Sequence, residues 1–167
     1  VIGGFAPHQE ICSIDESFLD LTGRPDSGRS IAQALRQRVR QWVGIPTCVG
    51  IGSSKTLAKL ANHFAKRLPK LEGVCDLSGL SYPALLRAIR HVPVADVWGV
   101  GRRLAPQLQA LRIHTAADLA QADLAMIQRR FSIVLAKTVQ ELRGISCLEL
   151  GQLPEPRQQL LVSRSFG

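Results

Sequence analysis

The sequence predicts an α+β fold in which a mixed strand-and-helix part is followed by an all-helical part. Apolar runs bounded by turn residues alternate with segments of helical periodicity up to about residue 77, whereas only short helical segments follow from about residue 80. The balance of 46% hydrophobic and 20% charged residues over 167 positions is typical of a folded globular chain and excludes a disordered one. We therefore predict a domain boundary near residue 78.

Three stretches of the first part have the composition of strands. Residues 10–21 are rich in apolar and β-favouring types and predict two short strands or a bent hairpin, with Asp15 and Glu16 near the middle. Residues 47–52 predict a buried strand, and residues 73–77 predict a last short one.

Helical periodicity accounts for the remaining elements. Residues 30–43 carry apolar side chains at steps of three and four, which predicts an amphipathic helix that ends at Gly44. Ser53 or Ser54 is expected to cap a second helix, whose apolar face begins at Leu57. Past residue 80 the pattern predicts short helices over residues 81–90, 102–111, 115–121, 123–130 and 133–143.

Positive charge is concentrated in two stretches. Lys and Arg number 21 against 13 Asp and Glu, so the formal net charge is +8, and sixteen of the basic residues are Arg. Five basic residues fall within 53–72 and five Arg within 24–40, each stretch with a single acid. Clustered cations favour a polyanionic partner such as a nucleic acid. A GC-rich genome would also raise the Arg content, and composition alone leaves that alternative open.

Several classes of protein and site are not predicted. No apolar run approaches the roughly 20 residues that cross a bilayer, and no secretory pattern opens the chain, so we expect no membrane association and a cytoplasmic location. Cys12, Cys48, Cys75 and Cys147 form no CxxC pair, and no His stands at metal-ligand spacing, so no zinc site is expected. A reducing cytoplasm fits these cysteines better than a disulfide framework does.

Asp15 and Glu16 are adjacent acids inside an otherwise apolar stretch. On a regular strand their side chains would point to opposite faces, and burying an unpaired carboxylate is costly. A turn, a bulge or a bound cation would resolve this conflict. Ligand sets made of oxygen alone favour Mg²⁺ or Mn²⁺, and a two-metal site needs several converging carboxylates. The alternative, which the pair alone leaves open, is a solvent-exposed hairpin turn with two ordinary acids.

Four short motifs, at residues 13–23, 49–62, 96–104 and 163–167, occur in one order along the chain. The first, SIDESFLDLTG, closely resembles the catalytic motif of the Y-family, translesion DNA polymerases, and the second, VGIGSSKTLAKLAN, that family's palm strand and following helix. The third, DVWGVGRRL, and the last, SRSFG, are similar to the bacterial UmuC branch, the catalytic subunit of DNA polymerase V. All four follow the family's own order.

The resemblance implies a domain organisation. Residues 1–78 would form an incomplete ferredoxin-like palm, an antiparallel sheet with two helices, and residues 79–146 would form a small all-α thumb with a helix-hairpin-helix. Residues 147–158, which contain two prolines, would be a linker, and residues 159–167 would be the start of a little-finger domain.

The resemblance also assigns roles to single residues. Asp15 and Glu16 would be the catalytic pair that binds two Mg²⁺ ions, and Lys66 would bind the nucleoside triphosphate. Lys59 lies two helical turns before Lys66, so both could share a face and bind the triphosphate. For either lysine the alternative is a solvated helix face. His63, on the same helix, is expected to pack or to be solvated.

The DNA-backbone-binding turn of the helix-hairpin-helix would comprise Gly99, Gly101, Arg102 and Arg103. Glycines allow a tight turn and a close approach of the DNA backbone, and the free N–H groups that open the following helix can meet a phosphate. Such contacts depend on shape and charge and not on base sequence. A lone GxG is also a common helix stop, but here two Arg and an amphipathic helix follow it.

The resemblance implies an error-prone, translesion DNA-directed DNA polymerase that acts in DNA repair and in the SOS response. Its substrates would be primer–template DNA and dNTP, and its partners a UmuD-type dimer, a recombinase filament and a sliding clamp. The family's third metal ligand, an Asp on an earlier strand, and its fingers domain have no counterpart in the chain, so we expect the chain alone to be inactive. The alternative is a non-catalytic DNA-binding module that grips duplex backbone through its helix-hairpin-helix. The intact Asp15–Glu16 pair favours the enzyme.

Overall fold

The computed structural model describes residues 1–23 and 27–148. The strands are β1 (Gln9–Ile11), β2 (Ser17–Leu19), β3 (Val49–Ile51) and β4 (Val74–Asp76). The α-helices are α1 (Gly28–Val43), α2 (Lys55–Arg67), α3 (Tyr82–Ile89), α4 (Leu104–Ala110), α5 (Ala116–Gln121), α6 (Leu124–Arg130) and α7 (Ile133–Leu142). Short 3-10 helices cover Ile2–Phe5, Pro69–Leu71 and Val94–Asp96. Within the described ranges no helix has the length and apolar composition needed to cross a membrane.

β1 and β2 form an antiparallel hairpin with Gln9 opposite Leu19. Between the strands the backbone N–H group of Cys12 donates to the carbonyl oxygen of Glu16 at 2.9 Å and closes a tight turn. The prediction of a hairpin with the acid pair near its middle is confirmed. The turn also resolves the conflict between adjacent acids, because Asp15 lies outside both strands and is not forced towards a core.

β3 and β4 form a separate, parallel pair with Val49 opposite Val74. The prediction of an antiparallel sheet is wrong for this pair. The reason is the connection, since α2 and a 3-10 turn lie between the two strands and a helical crossover allows both strands to run in one direction. α2 packs closely on β3, because a side chain at Gly50 would overlap the backbone of Ala58 and Asn62.

α1 is an amphipathic helix with clear ends, as predicted. Its N-cap is Ser27, whose hydroxyl oxygen accepts a hydrogen bond from the N–H group of Ser30, and it ends at Gly44, which is left-handed with φ 78°. The buried face of the helix packs with Phe5 in a small apolar cluster through Ile31, Leu35 and Val39. This cluster supports the helix beside the β1–β2 hairpin, since Leu19 packs against it.

Two arginines bond backbone carbonyls and so hold the fold together. Arg36 on α1 donates from Nε to the carbonyl oxygen of Thr47 at 2.6 Å, and its guanidinium also donates to the carbonyl oxygen of Glu72. Arg143 donates at 2.7 Å to each of two carbonyl oxygens at the C-terminal end of α5. Part of the positive charge that suggested a polyanionic partner is therefore used inside the molecule.

One apolar core runs through both predicted domains. Its buried members come from α2, from β4 and from each helix after residue 80, and they include Leu57, Cys75, Ile89, Leu108, Leu119, Ile127 and Val139. The division near residue 78 stays a prediction. The predicted linker after residue 148 and the predicted little-finger segment at 159–167 lie outside the described residues.

The side chain of Glu141 on α7 is completely buried and joins three segments. Its Oε2 accepts hydrogen bonds from the N–H group and the hydroxyl of Thr56, at 2.9 and 2.7 Å. Its Oε1 accepts from the N–H groups of Cys147 and Leu148, both at 3.1 Å. Thr56 lies in the first turn of α2, where the helix dipole also favours a negative charge. Glu141 therefore fixes the start of α2 against α7.

Substituting Glu141 with Gln is expected to lower the free energy of unfolding by about 2–3 kcal/mol, because a carboxamide would turn an NH₂ group towards N–H donors. Urea unfolding followed by circular dichroism measures the change. Glu72→Gln is the matched control, since the Glu72 side chain is exposed, and it should change the free energy by less than about 0.5 kcal/mol. Equal effects of the two substitutions would contradict the role given to Glu141.

Candidate active site

Asp15 lies exposed in the turn of the β1–β2 hairpin. The hydroxyl of Ser13 donates to its Oδ1 at 2.6 Å. That hydrogen bond is the largest cause that lowers the pKa of Asp15 below its ordinary value of 3.8, and the ammonium groups of Lys66 and Lys59 act in the same direction. Asp15 is therefore ionised at neutral pH and presents anionic oxygen to the solvent.

Glu16 contacts α2 and is not an ordinary turn residue. The ammonium of Lys59 forms a hydrogen-bonded ion pair with its Oε2, and Nζ of Lys66 lies 3.8 Å from its Oε1. The two lysines therefore approach one carboxylate from the same side of α2, as their seven-residue spacing suggests. Lys59 is 19% exposed and Lys66 is 55% exposed, so Lys66 is the more accessible of the two to an incoming anion. Their role in triphosphate binding stays a prediction.

Two neighbouring aromatic rings lie near the ammonium of Lys59. Its Nζ lies 5.5 Å from the ring centroids of both Phe18 and Trp98, which is within the range of cation–π attraction. The two rings also contact each other, with centroids 5.7 Å apart and planes tilted by 56°. Phe18 belongs to β2, and Trp98 belongs to the segment that precedes α4. The ammonium of Lys59 is thus close to aromatic rings from two separate parts of the chain.

A second lysine of α2 is buried next to the first. Lys55 is 7% exposed, and its ammonium donates to both carboxylate oxygens of Glu10 on β1, at 2.9 and 2.8 Å. Its Nζ also lies 5.5 Å from the ring centroid of Phe18. Buried charges are tolerated when they are paired and hydrogen bonded. The Lys55–Glu10 ion pair therefore joins the β1–β2 hairpin to the first turn of α2.

A cleft of about 280 Å³ opens beside these residues. It is lined by Glu16, Lys59, Leu60, Asn62, His63, Lys66, Asp96 and Trp98. The lining includes a carboxylate that can bind a cation and two ammonium groups that can bind an anion. Such a mixed lining suits a ligand that carries negative charge and arrives with a metal ion.

His63 lies on α2 between the two lysines in sequence, and its Nε2 is 3.9 Å from Oδ2 of Asp96. Arg67 approaches the same carboxylate oxygen at 3.7 Å. Partial burial is the largest cause that lowers the pKa of His63 below 6.5, and Arg67 and Lys66 lower it further, whereas Asp96 opposes them. His63 is therefore mostly neutral at pH 7 and adds little charge to the cleft.

The predicted DNA-backbone turn leads into α4 and comprises Gly99, Gly101, Arg102 and Arg103. Gly99 has φ +86°, a conformation that favours glycine. The carbonyl oxygen of Gly101 accepts from the N–H group of Leu104 at 3.0 Å, and both arginine side chains are exposed. The element directly before the turn is the 3-10 helix Val94–Asp96 and not an α-helix. The helix-hairpin-helix therefore stays a prediction, as does its contact with DNA.

The carboxylate oxygens of Asp15 and Glu16 are suitable ligands for Mg²⁺, but they are few in number. Asp15 and Glu16 offer hard carboxylate oxygens, which Mg²⁺ prefers. Across residues 1–23 and 27–148, no group of three or more acids, histidines or cysteines is placed to hold a metal ion. The ammonium groups of Lys59 and Lys66 neutralise Glu16 as the structure stands. That the pair holds Mg²⁺ stays a prediction, and the described residues offer no further ligands beside it.

Comparison with known proteins gives consistent relatives. Residues 1–63 match the impB/mucB/samB family. Protein ImpB of Salmonella typhimurium is 43% identical over 169 residues, covering 100% of this chain and 40% of ImpB. Protein UmuC of the same species is 46% identical over 168 residues, covering 96% of this chain and 38% of UmuC. DNA polymerase IV of Moorella thermoacetica is 36% identical over 148 residues, which cover 87% of this chain and 35% of the Moorella protein.

Solved structures show the same fold at lower sequence identity. A DinB family error-prone DNA polymerase from Sulfolobus solfataricus superposes with a TM-score of 0.65 at 22% identity, covering 86% of this chain and 44% of its own. An insertion ternary complex of Dbh DNA polymerase gives a TM-score of 0.64, also at 22% identity, covering 84% of this chain and 41% of its own. The mixed α/β arrangement of this chain is therefore that of the polymerases.

The chain belongs to the Y family of DNA polymerases, which confirms the resemblance of its motifs. Within that family it is a member of the UmuC branch, beside the ImpB, MucB and SamB proteins. The chain spans about two fifths of the length of these curated relatives, ImpB and UmuC.

Several residues of the site were not found by sequence reasoning. Phe18 and Trp98 contact Lys59, and Glu10 pairs with Lys55, but no role was predicted for Phe18, Trp98 or Glu10. A usable signal existed for the aromatic pair, because aromatic residues make up only 5% of the chain and these two stand inside recognised motifs. No local pattern indicates that Glu10 pairs with a residue 45 positions later.

We expect the imidazole of His63 to titrate below pH 6.5 in an NMR experiment. The pKa of His63 is lower in the folded protein than in the unfolded chain. The stability that the neutral imidazole contributes is therefore fully present above the unfolded pKa, and it is lost as the pH falls through the folded pKa. Arg67→Gln should raise the midpoint by removing a nearby cation. Arg38→Gln is the control, since that guanidinium stacks on Phe5 and Trp42, and it should leave the midpoint unchanged. A midpoint at or above 6.5 would show the assignment to be wrong.

Proposed function

We propose that this chain supplies part of the active site of an error-prone, translesion DNA-directed DNA polymerase. The observation that carries the proposal is the position of Glu16, which lies next to the ionised Asp15 and is contacted by two lysines of α2. A nucleotidyl transfer site needs carboxylates for metal ions and cations for the triphosphate. More distant relatives support the same reaction, since three of them, at 34–36% identity, are named as DNA polymerases.

Asp15 and Glu16 are the residues that would hold Mg²⁺. When bound, the two ions would activate the primer 3′-hydroxyl and stabilise the charge on the transferring phosphoryl group. Asp15 is ready for this role because its lowered pKa keeps it ionised well below neutral pH. Glu16 is kept close to α2 by Lys59 and Lys66, which would turn to the phosphates of dNTP.

The second part of the proposal concerns primer–template DNA. Gly99, Gly101, Arg102 and Arg103 form a turn whose arginine side chains are exposed, so they can reach phosphates of a duplex. The same segment carries Trp98 and Asp96 to the cleft beside α2. In this proposal the cleft holds the nucleotide while the turn holds the DNA backbone.

The wider setting follows from the UmuC branch. We place the activity in the cytoplasm, in DNA repair during the SOS response to DNA damage. A UmuD-type dimer, a recombinase filament and a sliding clamp are the protein partners that this membership suggests. A second candidate function, a non-catalytic module that grips duplex DNA, is favoured by the exposed Arg102 and Arg103 and by the small number of acids at the metal site.

Asp15→Asn and Glu16→Gln are expected to lower templated, Mg²⁺-dependent incorporation at least about a hundredfold, because each removes a metal-binding charge. Primer extension by a protein of the relatives' full length that carries this chain measures the effect. Asp20→Asn is the matched control, since Asp20 lies on the same hairpin and caps the N–H group of Thr22 at 2.8 Å. If the first two substitutions left incorporation intact, the catalytic assignment would fall and the binding module would be the better candidate.

Arg102→Ala combined with Arg103→Ala should weaken duplex binding. It should also reduce the slope of the logarithm of the binding constant against the logarithm of salt concentration, by about one for each lost phosphate contact. Fluorescence anisotropy with labelled DNA over a range of salt concentrations measures both quantities. The control is Arg129→Ala with Arg130→Ala on α6, which removes the same charge elsewhere. An equal loss from both double variants would mean that net charge, and not this turn, binds the DNA.

A further inference from the structure

Trp98 lies beside the lysine that is proposed to bind the triphosphate, which its motif does not indicate. Its ring lines the cleft together with Glu16 and Lys66, and its centroid lies 5.5 Å from Nζ of Lys59. The ring also touches Phe18, which lies 5.5 Å from the same ammonium. Lys59 therefore has an aromatic ring from the hairpin and another from the segment before α4.

The contacts of Lys59 restrict where its ammonium can go. A lysine side chain has four rotatable bonds and loses rotamer entropy when it is fixed. The ion pair with Glu16 and the two rings together select the conformer that points into the cleft. A fixed conformer removes part of this entropic cost before a ligand arrives, which favours binding.

We propose that Trp98 is a positioning residue for nucleotide binding, which holds the ammonium of Lys59 towards the phosphates of a nucleoside triphosphate. This inference rests on the proposed function of the cleft. Trp98 acts through Lys59 and does not itself bind the phosphates, because an indole offers a single N–H donor and no charge. Its contribution comes from the ring quadrupole and from the space that the ring fills next to the ammonium.

The place of Trp98 in the chain links this role to the turn of residues 99–103. Trp98 directly precedes Gly99, whose φ of +86° sets the direction in which the backbone enters the turn. A shift of that turn would therefore move the indole ring relative to Lys59. The nucleotide cleft and the exposed Arg102 and Arg103 are in this way separated by a few residues of one continuous segment.

The test compares Trp98→Leu with Trp98→Phe in a protein of the relatives' full length that carries this chain. Trp98→Leu keeps an apolar side chain but removes the ring, so the KM for dNTP should rise about three- to tenfold while kcat stays within about twofold. Trp98→Phe keeps an aromatic ring, so its KM for dNTP should stay close to that of the unsubstituted protein. Trp42→Leu is the matched control, because Trp42 is 69% exposed and stacks on Arg38, and it should leave KM unchanged.

A double-mutant cycle with Lys59→Met separates positioning from a general packing effect. If Trp98 acts through Lys59, then Trp98→Leu should add no further rise in KM once Lys59 has lost its charge. The same rise with and without Lys59, an unchanged KM in Trp98→Leu, or a Trp98→Phe variant as impaired as Trp98→Leu would each overturn the proposal. Thermal unfolding of each variant identifies any that fail to fold, and Trp98→Phe then carries the comparison.

A binding measurement distinguishes failure of this inference from failure of the proposed function. In a Trp42→Phe background, Trp98 is the single tryptophan of this chain, and its emission can be followed while dNTP and Mg²⁺ are added without DNA. A saturable change that Lys59→Met weakens about three- to tenfold supports the inference even if the protein extends no primer. An unresponsive emission in a protein that does extend primers overturns the role of Trp98 and leaves the polymerase assignment intact.

Discussion

The buried carboxylate of Glu141 fixes the geometry on which the rest of the structure depends. Burying an ionised group is tolerated only where donors replace its water, and here two N–H groups from residues 147 and 148 and two donors of Thr56 do so. Because removing any one of these partners would leave charge poorly solvated, the start of α2 cannot move freely relative to α7. The same helix then carries Lys55, Lys59 and Lys66 to the hairpin.

In the proposed function, charged groups of α2 and of the hairpin would exchange one another for charges of the ligand. In the structure the cations of α2 and the acids of the hairpin satisfy one another, with Lys55 on Glu10 and Lys59 on Glu16. The first pair is almost fully buried and ties two elements together, whereas Glu16 and Lys66 are exposed enough to meet new partners. The burial of each pair thus separates the charges that hold the fold from those that are available for a ligand.

Local patterns predicted most of the fold and part of the site. The hairpin, α1, α2 and the helices after residue 80 follow from turn residues and periodicity, and the seven-residue step from Lys59 to Lys66 predicted a shared face. The parallel pairing of β3 with β4 was missed because it depends on where the crossover returns the chain. Glu141 was missed for a related reason, since a contact between residues 85 positions apart leaves no trace in local composition. The assignment of Asp15 and Glu16 to metal binding came from the motif and not from their adjacency.

The long sequence separation between α2 and Glu141 also affects how the chain is made. The β3–α2–β4 unit is complete once residue 76 has been synthesised, but Glu141 follows the end of α2 by 74 residues. At a translation rate of about 5–20 residues per second, Glu141 is therefore synthesised roughly 4–15 s after the end of α2, and only then can it accept the hydrogen bond from Thr56. During that time water must occupy the place of the carboxylate at the helix N-terminus. During synthesis, the contact that fixes α2 to α7 can therefore form only after β3, α2 and β4 have all been made.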